Sequence, residues 1–137
     1  MRVLLVSIAA LALAGTAAAD LAIPFRTPSG NIGCYYTSNR DLRATLRCDI
    51  RSGLKPAPPK PKNCTLDWGD SYELAPTGRA LITCHGDTAI DPTSRVVRYG
   101  TRWSRGGFTC ASRKAGLRCS NRSGHGFFLS RARSYRF

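Results

Sequence analysis

Acidic side chains are scarce in this sequence. Its 137 residues hold 8 Asp+Glu against 21 Lys+Arg, for a formal net charge of +13 at neutral pH. Glu73 is the only glutamate, and with Asp67 and Asp70 it makes a poor glycosidase pair, because no spacing sets two carboxylates across a cleft. Histidine is limited to His85 and His125. No Cys-x-x-Cys occurs, so the close ligand pairs of a zinc site and the dithiol of a redox centre are both missing. No metal and no other cofactor is expected. A Gly-x-Ser-x-Gly elbow is absent as well. Helical periodicity is hard to find, since apolar residues rarely recur at three and four and Gly or Pro interrupts most segments.

Long apolar runs are lacking too, apart from residues 3–14. That run follows Met1-Arg2 and precedes Gly15 and the small residues Ala17, Ala18 and Ala19, the layout of a removable export signal with cleavage after Ala19. About a dozen apolar residues fall short of the roughly 20 a membrane helix needs. No cysteine follows the cleavage point to carry a lipid. The expectation is a signal peptide at residues 1–19 and one domain at residues 20–137, with no transmembrane segment after cleavage. The protein would then be periplasmic or secreted.

Six cysteines are present: Cys34, Cys48, Cys64, Cys84, Cys110 and Cys119. In an oxidising compartment they are available as cross-links for a chain whose core is small. Ile32-Cys34-Tyr36, Leu46-Cys48-Ile50, Ala80-Ile82-Cys84, Phe108-Cys110 and Leu117-Cys119 each step by two. Residues two apart in a strand face the same way, so these five sulfurs are expected to point into the core. Cys110 and Cys119 flank an even number of residues, with Gly116 available for a left-handed turn position, and Cys34 and Cys48 bracket a polar stretch in a similar way. Nearest-neighbour pairing follows: Cys34 to Cys48, Cys64 to Cys84 and Cys110 to Cys119.

Short strands are expected at residues 32–37, 44–50, 71–74, 79–84, 95–99, 107–111, 116–120 and 126–130, with a helical turn near residues 92–94. Residues 55–62 hold four prolines and three lysines and should run extended over the surface. Trp68 suits a packing position beneath them. Many short strands with frequent turns indicate an all-β domain, a small sandwich or barrel-like fold of antiparallel strands stapled by disulfides.

Several motifs come in a recognisable order. They are Ser29-Gly30-Asn31-Ile32-Gly33-Cys34, Cys48-Asp49-Ile50, Cys84-His85-Gly86-Asp87-Thr88, Tyr99-Gly100, Gly116-Leu117-Arg118-Cys119 and Gly124-His125-Gly126-Phe127. Across residues 25–130 the sequence resembles a family of small exported bacterial proteins catalogued as a domain of unknown function. The resemblance implies an exported, disulfide-linked single domain and carries no activity.

Charge is the loudest remaining signal, and most of it is arginine. Arg40, Arg43 and Arg47 lie near the first hairpin. Arg95, Arg98, Arg102 and Arg105 cluster around Trp103, while Arg131, Arg133 and Arg136 fall near the end. The planar guanidinium suits phosphate, sulfate and carboxylate, and a field of this sign gathers anions. The reading is a non-catalytic binder of anionic envelope or extracellular ligands: polymers, lipid headgroups or, without specificity, nucleic acid. Arg95, Arg98, Arg102, Arg105, Arg131 and Arg133 are the candidate anion contacts and Trp103 a candidate stacking surface. Two alternatives stand beside it. One is a secreted phosphodiesterase or ribonuclease-like enzyme using His85, Asp87 and His125, with one imidazole as base and the other as acid. The other is an exported inhibitor or effector presenting residues 55–62.

Overall fold

A computed structural model describes residues 21–39 and 44–137. The expected leader, and Arg40 and Arg43, lie outside the described residues.

Eleven strands form two sheets. The first is built from β1 (Leu21–Arg26), β2 (Ile32–Ser38), β3 (Thr45–Ile50), β4 (Ser71–Leu74), β5 (Leu81–Ile82) and β6 (Arg95–Val96), in the order β5-β4-β3-β2-β1-β6. The second holds β7 (Arg102–Arg105), β8 (Phe108–Arg113), β9 (Gly116–Ser120), β10 (Gly126–Leu129) and β11 (Ser134–Arg136), in the order β11-β10-β9-β8-β7. All pairings are antiparallel except β1 with β6. The fold is an all-β sandwich, as expected, and not a closed barrel.

Period-two patterning places the core. Phe25, Ile32, Cys34, Tyr36, Leu46, Cys48, Ile50, Tyr72 and Leu74 face inward from the first sheet. Trp103, Phe108, Cys110, Leu117, Cys119, Phe127 and Leu129 meet them from the second. The three disulfides join Cys34 to Cys48, Cys64 to Cys84 and Cys110 to Cys119. Cys34 sits opposite Cys48 across β2–β3, and Cys110 opposite Cys119 across β8–β9. All four of these sulfurs are fully buried. Cys84 departs from its expected inward placement. Its strand stops at Ile82, so the alternation that would carry Cys84 inward is lost and the residue is exposed.

Three strands escape the sequence reading. β1 contains Pro24, which suits an edge, and β6 indeed pairs only with Phe25 and Arg26, leaving the start of β1 open on that side. β7 has a single apolar residue among arginines and a serine, and β11 is three residues long. β7 joins β8 through Gly106-Gly107, both at positive φ (57° and 88°), the pattern of a two-residue hairpin that follows strand twist. Gly116 occupies a strand position opposite Arg113 instead of the turn, which Lys114 and Ala115 make. Residues 92–94 form a turn capped by Asp91, whose carboxylate accepts from the Thr93 amide and hydroxyl.

The sandwich has two open sides, and the chain treats them differently. Near β11 the proline-rich connector lies alongside: the Ser134 amide donates to the Lys55 carbonyl and the Lys55 amide to the Ser134 hydroxyl. The opposite side, between β1–β6 of one sheet and β7 of the other, carries no such cover among the described residues.

Candidate functional site

Sequence motifs converge first on the outer face of the first sheet. Arg47 and Asp49 lie on β3 with parity opposite to Leu46, Cys48 and Ile50, which would normally put them in water. They are only 3% and 1% exposed, because residues 85–90 cross over them as a strap. The Asp49 carboxylate accepts from the Ala89 amide (2.7 Å) and from both Nε and Nη2 of Arg47 (2.9 and 2.8 Å). Arg47 also donates to Ser71, to the Tyr35 hydroxyl, and to the carboxylate (2.8 Å) and carbonyl of Asp87. Every polar edge of this guanidinium has a partner within the chain. Burial alone works against the Arg47 charge, but Asp49 and Asp87 more than offset it, and its pKa rises. The Arg47 hydrogen bond in turn lowers the pKa of Asp87.

Gly33 explains how the strap comes so close. A Cβ there would lie 2.5 Å from the Ile90 Cα and 2.8 Å from the Ala89 carbonyl oxygen, so only glycine admits the crossing. Gly33, Asp49, His85 and Asp87, all from the motifs that carry the family resemblance, therefore meet at one clasp.

His85 belongs to the same clasp. Its Nε2 lies 2.8 Å from an Asp70 carboxylate oxygen, and its Nδ1 meets the Asp87 carbonyl. Its backbone pairs with Asp67 as an isolated bridge. Both ring nitrogens face acceptors, which only the imidazolium satisfies on both sides. Burial pushes its pKa down, yet Asp70 and the Asp87 carbonyl outweigh that and the net shift is upward. His125 sits elsewhere, in the β9–β10 turn, with Nδ1 against the Phe137 carbonyl. The two imidazoles share no hydrogen-bond partner, and the Asp87 carboxylate serves Arg47 instead of a histidine. His85, Asp87 and His125 thus do not assemble as an acid–base set. Among the described residues no three His, Cys, Asp or Glu side chains gather as metal ligands would.

Arginine is brought together elsewhere. Arg95, Arg98, Arg102 and Arg105 line a cavity of ≈ 410 Å³ on the uncovered side of the sandwich, between β6 and β7. All four are exposed. The described ion pairs involve Arg47 and His85 only, so among the described residues no carboxylate neutralises this cluster. Ile23, Val97 and Trp103 form its apolar floor. Trp103 is not a stacking surface for a ligand: it is 9% exposed, and its ring stacks on Phe25 with centroids 4.5 Å apart. Its place opposite Cys110 in β7 turns the indole inward.

The remaining candidates separate. Arg131 borders a cavity of ≈ 280 Å³ with Arg113, Lys114 and Tyr99, at the end where Ser29 and Asn31 turn. Arg133 lies over Phe128 and Tyr135, 5.7 Å from each ring centre. Those aromatics were not singled out by sequence. Phe127-Phe128-Leu129 reads as one apolar run, and only the register reveals that Phe128 faces outward while its neighbours face the core. Phe128 stacks on Tyr135 at 5.2 Å, and Arg118 lies 3.9 Å over Phe137.

The model of the Family of unknown function (DUF6636) matches residues 4–137, and the chain belongs to that family. No curated protein and no solved structure matches.

Proposed function

We propose that this member of a family without an assigned function is an exported binding protein that captures anionic envelope or extracellular ligands through the arginine cleft between β6 and β7. One observation carries the reading: four exposed guanidiniums converge on the uncovered side of the sandwich, over an apolar floor and, among the described residues, without a neutralising carboxylate. Each unpaired guanidinium keeps its planar fork for an oxyanion, and gathering four raises the local potential well above that of scattered charge. The three disulfides and the absence of free cysteine among the described residues support an oxidising compartment. Polymers and lipid headgroups present the required anions; nucleic acid would be held through its phosphates, without reading of sequence.

The test compares two variants of equal charge. One replaces Arg95, Arg98 and Arg105 by Gln; the other replaces Arg51, Lys62 and Arg79 by Gln. Elution from an immobilised sulfated polysaccharide in a salt gradient should occur at clearly lower salt for the first. Equal elution of the two would reduce the interaction to net charge and end the proposal.

A further inference from the structure

The solvent face of the second sheet carries a second constellation, independent of the edge cleft except that Arg102 borders both. Register sets one row across all five strands: Arg102 on β7, Ala111 on β8, Arg118 on β9, Phe128 on β10 and Tyr135 on β11. At about 4.8 Å between strands the row spans roughly 19 Å. A depression of ≈ 260 Å³ follows it, with the guanidiniums of Arg102, Arg113 and Arg118, the hydroxyl side chains of Thr109 and Ser120, and a wall of Phe128 and Tyr135. Its floor is Ala111, Ala115 and Gly116. Gly116 is required there, because a Cβ would fall 2.5 Å from the Phe128 ring.

We infer that this face is a binding site for acidic saccharide units. The Arg118 Cζ lies 3.9 Å over the Phe137 ring, a contact that restrains the side chain and engages the π-face without using up the guanidinium N–H donors. No carboxylate pairs with Arg102, Arg113 or Arg118 in the described ion pairs. A uronate carboxylate or a sulfate ester fits those forks, ring hydroxyls fit Thr109 and Ser120, and the C–H groups of a sugar fit against the ring edges of the stacked Phe128 and Tyr135. The volume lies below the roughly 300–1,000 Å³ of a small-molecule pocket, which suits one unit of a polymer passing across the strands. Single-stranded nucleic acid is disfavoured by the same geometry. Bases need free aromatic faces, whereas Phe128 and Tyr135 are stacked on each other and Phe137 is covered by Arg118.

The experiment measures binding by titration calorimetry at about 0.15 M salt, where exposed charges beyond roughly 8 Å are screened. Four probes are used: an oligogalacturonate, a heparin-derived oligosaccharide, a fully methyl-esterified oligogalacturonate and a single-stranded oligothymidylate. At least one acidic saccharide should bind saturably and the neutral ester should not; carboxylate and sulfate are told apart by which of the first two binds. Arg113→Gln with Arg118→Gln should weaken that binding by about tenfold or more, the loss expected for two charge-assisted contacts. Arg95→Gln with Arg98→Gln removes the same charge from the edge cleft and should change it by less than about threefold. Failure of both acidic saccharides to bind, equal loss in the two variants, or tighter binding of oligothymidylate with the same arginine dependence would each overturn the inference. The Arg113 and Arg118 substitutions read this face and the Arg95, Arg98 and Arg105 substitutions read the edge cleft, so the failure of one site is told apart from the failure of the other.

Discussion

Replacing Arg47 by Met tests whether the clasp holds the strap to the first sheet. The substitution keeps most of the side-chain length but removes six hydrogen bonds from a residue 3% exposed. It leaves the Asp49 carboxylate, 1% exposed, with the Ala89 amide as its remaining described partner. Breaking a buried pair from one side costs about 3–5 kcal/mol. Arg47→Met should therefore lose about 3–5 kcal/mol at pH 7. Urea unfolding with disulfides intact, followed through the buried Trp103, measures the loss. Adding Asp49→Leu should recover part of that loss, but not all, since the Ala89 amide is then orphaned at about 1–3 kcal/mol. A deficit under about 1 kcal/mol, or no recovery on adding Asp49→Leu, would refute the reasoning, because a buried unpaired charge predicts neither.

Three further outcomes are expected. Gly33→Ala sets a methyl against backbone that cannot rotate aside, so the strap should lift, with a loss of about 1–3 kcal/mol and faster hydrogen exchange at the Ala89 amide; unchanged protection would show that the crossing is not tight. The raised pKa of His85 means that its contribution is complete below 6.5, its ordinary value, and fades as pH rises through the folded value. The lowered pKa of Asp87 acts oppositely, with its contribution present above 3.8 and lost as pH falls. Urea midpoints should therefore decline above pH 6.5, and Asp70→Asn should flatten that limb; a midpoint rising from pH 6.5 to 8 would contradict the Asp70 contact. Removing a disulfide by paired Cys→Ala substitution should cost about 3 kcal/mol in chain entropy for any of the three loops. Cys34–Cys48 should cost more than Cys64–Cys84, whose Cys84 is exposed, because fully buried packing at both sulfurs is lost too, and the reverse order of thermal midpoints would refute this.

The strands with strong alternation were legible in the sequence, because period-two burial writes itself into the residue types: Ile32-Cys34-Tyr36 and Leu46-Cys48-Ile50 are in place. The disulfide pairing followed from hairpin spacing, which sets nearest-neighbour cysteines together. What parity cannot report is whether the outer face of a sheet meets water or chain. Arg47 and Asp49 read as surface charge until the strap covers them, and Phe128 reads as core until register turns it outward. The arginines around Trp103 were recognised as a cluster, but their setting depends on which edges the two sheets leave open. That is a property of strand order, which no local spacing encodes. His85 and Asp87 were noticed for catalysis when their chemistry serves the clasp.

The two sheets are built from consecutive halves of the chain, and among the described residues the backbone passes between them once, where Val97 still bonds to Arg26 and Gly100 already bonds to Ser112. Every disulfide lies within one half. The cross-links therefore shape each sheet but do nothing to fasten one to the other. Covalently the molecule is two stapled leaves on a single hinge of backbone, and a cut at Arg98 or Tyr99 would part it into fragments that each keep their own bridges. Reassembly of such fragments would depend on non-covalent contacts alone, on Phe25 finding Trp103, Tyr72 finding Phe127 and Lys55 meeting Ser134.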